Sequence, residues 1–105
     1  MGLKIVWTQF SQKELEKIYL YYKEKAGKKL AKKLIQEIYT DTLKLQAHPE
    51  IGQVEAFLKD RKEQFRYLVS GHYKIIYWIN EPKGRIEIVD VFDSRQNPIK
   101  MHRTK

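Results

Sequence analysis

The 105-residue chain has no cysteine, three prolines, five glycines and far fewer acids than bases. It also lacks any apolar run near the ~18 residues of a membrane span. Each shortage excludes something. Without thiols there are no disulfides, no cysteine-ligated zinc and no thiol nucleophile. Sparse proline and glycine leave no low-complexity linker, so residues 1–105 read as a single domain. The start, MGLKIVWTQF, lacks the long apolar region of a signal peptide, and the cytoplasm is the expected address. The phosphate-loop, dinucleotide-loop and H-E-x-x-H zinc signatures are missing as well. The three His stand far apart, and Glu87, Asp90 and Asp93 have no His nearby in sequence, so neither a metal nor a cofactor is expected. Ser70 and Ser94 sit in no G-x-S-x-G setting, which removes the common serine nucleophile.

What is present is charge and a modest core. Lys and Arg number 21 against 13 Asp and Glu, a net charge of +8. Such an excess favours acidic partners, either nucleic acid or an acidic protein. It is concentrated locally: residues 23–33 hold six Lys and one Glu, and from Ser94 onward Arg95, Lys100, His102, Arg103 and Lys105 are met by no acid. Runs of this kind also form ordinary solvated faces and frayed tails. With 42% hydrophobic and 12% aromatic residues, the chain can offset the entropy of folding.

The order of elements follows from periodicity. LKIVW at residues 3–7 reads as a strand. Ser11 and Glu14 match a capping box with Phe10 and Leu15 as its hydrophobic staple, so a helix is expected from Ser11. Leu15, Ile18, Tyr19, Tyr22 and Ala26 form its buried stripe, with Tyr21 and Lys25 pointing off it, and Gly27 is its stop. Leu30, Leu34, Ile38 and Leu45 mark a second helix ending at His48-Pro49, and the short link makes the pair an antiparallel hairpin. HPEIGQ signals a turn, and residues 53–64 read as loop. Three strands follow at 65–70, 72–80 and 85–92, joined by hairpin-short connections. The expected fold class is α+β: an N-terminal strand, then the helical hairpin packed on a C-terminal antiparallel β-meander.

The chemistry left open lies on and after the meander, in Arg66, His72, Lys74, Arg95, Lys100 and His102. Metal-free RNA cleavage needs a base for the 2′-hydroxyl, cations for the phosphorane and an acid for the leaving oxygen. Arg66 and Lys74 begin neighbouring strands, and the expectation is that they meet on one face. His102 is the candidate base beside Arg66, Lys74 and Arg95, since Arg and an ordinary Lys stay protonated at neutral pH. That role requires Pro98 to turn the tail back toward Arg95 and Lys74. The alternative is that strand-end cations only keep a sheet edge soluble.

The helical hairpin, the HPEIGQ turn, the GHYKIIYWI strand and IEIVDVFDSRQNP together resemble RelE/ParE superfamily toxins of bacterial type II toxin-antitoxin systems, over nearly the whole chain. The resemblance implies growth inhibition neutralised by a cognate antitoxin with an acidic or extended segment, in a homodimer or a heterotetramer with that partner. In RelE-like members the target is mRNA on the ribosome, cut by an endoribonuclease whose catalytic positions match Arg66, Lys74, Arg95 and His102. In ParE-like members it is DNA gyrase. Leu68 stands where a second strand Lys is expected, and Lys74 lacks the two-point phosphate grip of Arg. The hairpin and the HPEIGQ turn look more ParE-like. A non-toxic basic RNA-binding domain is a third reading, although Phe65, Tyr67, Tyr73 and Tyr77 alternate as a face buried against the helices would.

Overall fold

The computed structural model describes residues 2–103. Strand β1 (Lys4–Trp7) leads into helices α1 (Gln9–Ala26) and α2 (Lys28–Leu43). Strands β2 (Gln53–Val54), β3 (Arg66–Ser70), β4 (Tyr73–Asn80) and β5 (Arg85–Asp93) follow, with 3-10 turns at Ala56–Leu58 and Pro98–Arg103 among the connections. The α+β order expected from the sequence is the one observed. The sheet, however, gains two strands beyond the meander. β1 pairs in parallel with β5, and β2, inside the segment expected to be loop, pairs antiparallel with β3, giving the order β1-β5-β4-β3-β2.

Helix α1 starts earlier than its capping-box signature suggests. Thr8 is the cap: it keeps extended geometry, and its hydroxyl accepts the Ser11 N–H at 3.1 Å. Ser11 is buried in the first turn and donates its own hydroxyl to the Thr8 carbonyl at 2.8 Å. Gly27 alone joins the helices at φ +97°, a conformation that L side chains rarely adopt, which is why so short a link needs glycine.

Both faces of the sheet are covered. Tyr73, Ile75 and Tyr77 of β4 face the hairpin, packing with Ile18, Ile38, Leu45, Ile86, Ile88 and Val91. The opposite face carries Ile76, Val89 and Phe92, which pack with Leu58 and Met101 from the two 3-10 turns and with Phe65 just before β3. A bulge makes the two faces compatible. Ile76 lies opposite Asp90 and Tyr77 opposite Ile88, so Val89 is an extra residue that shifts the phase of β5. Phe65 and Tyr67, expected on the helix-facing side with Tyr73 and Tyr77, belong to the other side, because Tyr67 is registered with Ile76.

Tyr77 also holds the HPEIGQ turn. Its ring is fully buried, and its hydroxyl donates to the Pro49 carbonyl at 2.7 Å while accepting the Gly52 N–H at 3.0 Å. Burial pushes this phenol's pKa up. A side chain at Gly52 is excluded, since a Cβ there would meet the Tyr77 oxygen at 2.5 Å and the Tyr67 carbonyl at 2.7 Å. Tyr77→Phe therefore leaves two backbone groups without their partner and should cost about 1–3 kcal/mol. In urea denaturation the midpoint should fall with the slope unchanged.

Candidate functional site

The register of β3 against β4 separates the residues that the sequence grouped. Arg66 lies opposite Tyr77 on the helix-facing side, whereas Lys74 lies opposite Val69 on the other. The expectation of one shared face is thus corrected: the pairing joins even positions of one strand to odd positions of its neighbour. Arg66 Nη1 donates to the Gly52 carbonyl at 2.9 Å and to that of Glu50 at 3.4 Å, and Nη2 donates to Gln64 Oε1 at 3.3 Å. It staples the turn. Lys74 Nζ lies 3.0 Å from Glu55 Oε1 and 4.2 Å from the centre of the Tyr67 ring.

Arg95 follows β5 and grips Asp93 at two points, Nε to Oδ1 at 3.0 Å and Nη2 to Oδ2 at 2.8 Å. The cleft of about 480 Å³ that it lines with Lys17, Tyr21, Tyr73 and Arg103 includes none of Arg66, Lys74 or His102. His102 is exposed in the C-terminal turn, and its carbonyl accepts a bond from Arg61 Nη2 at 2.9 Å. The Arg95 hydrogen bonds hold the Asp93 carboxyl below its ordinary range. Because the folded value is depressed, the pair contributes stability above the unfolded pKa and loses it as acid protonates Asp93, below about pH 4. Native protein should therefore lose more melting temperature on acidification than Asp93→Asn, a comparison that thermal scans between neutral pH and pH 3 will read.

A second set of charges was not singled out from the sequence. Four carboxylates are buried among the described residues: Glu14, Glu55, Glu87 and Asp90. Each has a cation. Arg103 Nη2 lies 3.2 Å from Glu14 and 3.1 Å from Asp90, with its guanidinium over the rings of Phe10 and Phe92. Arg85 Nε meets Glu87 at 2.5 Å, where Asn80 donates as well at 3.1 Å. Lys74 completes the set on Glu55, whose second oxygen caps the Ala56–Leu58 turn by accepting the Phe57 N–H at 3.0 Å. The sequence held one signal for this arrangement. Acids at 87 and 90 inside an otherwise apolar strand cannot be buried without partners. Removing one partner of such a pair exposes the cost: Lys74→Ala should destabilise the fold by about 3 kcal/mol, and Glu55→Gln with Lys74→Met should recover most of it. A double-mutant cycle by denaturant unfolding measures the coupling.

Beside β1 lies a different kind of surface. A groove of about 910 Å³ is lined by Trp7, Leu15, Tyr19, Ile35 and Tyr39, together with the charged side chains of Lys4, Glu16 and Arg85. β1 is an edge strand, so its outer main-chain groups border the groove. The Trp7 indole N–H is buried there without a hydrogen-bond partner among the described residues. Tyr39 and, farther along the helices, Leu20 and Leu43 remain exposed. Concave apolar lining and an open strand edge are features of a surface that takes up a peptide segment.

A family model described as the ParE toxin of the type II toxin-antitoxin system parDE matches residues 5–98. No curated protein matches the sequence. Among solved structures, a chain from the chromosomal ParDE TA system of P. aeruginosa is similar, with a TM-score of 0.72 and 19% identity over 88% of this chain and 96% of that one. At that identity the likeness shows a shared fold. The family match runs from within β1, through the hairpin and the sheet, to the head of the C-terminal turn, and on that span the chain belongs to the ParE toxin family of type II toxin-antitoxin systems.

Proposed function

We propose that the chain arrests growth as a ParE-like inhibitor of DNA gyrase, and that a cognate antitoxin neutralises it by laying an extended, largely apolar segment into the groove beside β1. The observation that carries the target reading is the commitment of the sheet cations. Lys74 is paired with buried Glu55, Arg95 is gripped by Asp93, and Arg66 is spent on the carbonyls of the turn on the opposite face. A metal-free ribonuclease needs donors that converge on a phosphorane. Reading Arg66, Lys74, Arg95 and His102 as catalytic therefore has less support than an inhibitor that works by docking. For the antitoxin, the support is the groove's apolar lining beside the open edge of β1.

The purified chain, added to gyrase and relaxed plasmid, should block supercoiling in a topoisomer gel. Primer extension on mRNA from induced cells should find transcripts intact. Discrete codon-phased cuts in mRNA, with supercoiling unaffected, would overturn the gyrase reading in favour of ribosome-dependent cleavage.

A further inference from the structure

The sheet cations are matched by carboxylates, but the hairpin tip is not. Residues 23–33 close α1, turn at Gly27 and open α2, and they carry Lys23, Lys25, Lys28, Lys29, Lys32 and Lys33 against Glu24 alone. Five of the eight net positive charges of the chain thus lie in one-tenth of its length. All six lysines are exposed, and among the described residues none is in an ion pair. In α2 their placement works against the helix. Lys28 with Lys32 and Lys29 with Lys33 are like-charge neighbours one turn apart, and the first turn of α2 contains no acid to offset them. Lys23 and Lys25 suit the last turn of α1, but the four lysines that open α2 give the fold no such support and neutralise no carboxylate among the described residues, so the patch is free to serve a partner.

We propose that the hairpin tip is a docking surface for the phosphate backbone of duplex DNA. Composition favours a polyanion over an acidic protein. Protein interfaces are depleted in Lys and rely on aromatic and Arg anchors, and here the apolar groove lies beside β1, lined by Trp7, Tyr19 and Tyr39. Lys, as a flexible point charge, suits sequence-independent contact with phosphates, where binding gains from counterion release. Lysines from both helices converge on one turn, so several can engage one stretch of backbone together. This surface is separate from the gyrase reading, because it acts on DNA without gyrase present.

The test is fluorescence anisotropy of a labelled 20-base-pair duplex titrated with the purified full chain at several salt concentrations. The tip variant carries Lys28→Gln, Lys29→Gln, Lys32→Gln and Lys33→Gln. A control of equal net charge carries Lys13→Gln, Lys59→Gln, Lys62→Gln and Lys83→Gln, at four exposed positions elsewhere. The tip variant should bind about tenfold or more weakly at low salt, with the slope of log K against log salt shallower by about 3 to 4, while the control stays close to native. Equal losses in tip variant and control would overturn the proposal by making the attraction a property of net charge. So would unchanged DNA affinity in a tip variant that has lost antitoxin binding, which would assign the patch to an acidic protein. Circular dichroism of both variants confirms that the hairpin is retained.

Discussion

Neutralising buried carboxylates is the constraint on which this structure turns. β5 is buried without a break from Ile86 to Phe92, lying between β1 and β4 with both faces covered, and Glu87 and Asp90 lie within that stretch. Water cannot solvate them, so side chains must. Arg85 and Asn80 meet Glu87 from within the sheet. Asp90 is met from a distance, by Arg103 at the end of the C-terminal turn, which also reaches Glu14 on α1. One guanidinium thereby ties the first helix, the inner strand β5 and the C-terminal turn together. With that turn held, Met101 completes the outer cluster beside Phe92 and Val89.

The same constraint divides the positive charge into two populations. On the sheet and its flanking turns Lys74, Arg85, Arg95 and Arg103 are each matched by a carboxylate, and Arg66 by backbone oxygens. On the hairpin tip the lysines are unmatched, and most of the net charge is there. A chain with a pI near 9.6 can therefore have a sheet whose cations are largely neutralised. The surfaces are separate as well: an apolar groove at β1 and a cationic tip where the two helices meet.

Much of this was legible in the sequence, and the rest was hidden for identifiable reasons. The helical stripe from Leu15 to Ala26, the Gly27 break and the density of β-branched and aromatic residues from 65 onward are local signals, and the elements they mark are present. The cap moved from Ser11 to Thr8 because both residues can cap, and the choice depends on where β1 ends. β2 is two residues long, too short for any periodicity. The separation of Arg66 from Lys74 is a matter of register, which depends on pairing between strands and cannot be read along one. Likewise the ties of Glu55 to Lys74 and of Glu14 to Arg103 join residues far apart in sequence. The charges were visible; their partners were not.

The measurement that reaches most directly to the division between structural and functional cations is growth arrest by the chain carrying Glu55→Gln and Lys74→Met together. Removing the pair as a unit leaves no orphaned carboxylate, so the fold should persist. If Lys74 serves only to neutralise Glu55, arrest on induction should match that of the native chain. Abolished arrest in a double variant that melts at the native temperature would contradict this, and would place the Lys74 ammonium in the toxic action itself.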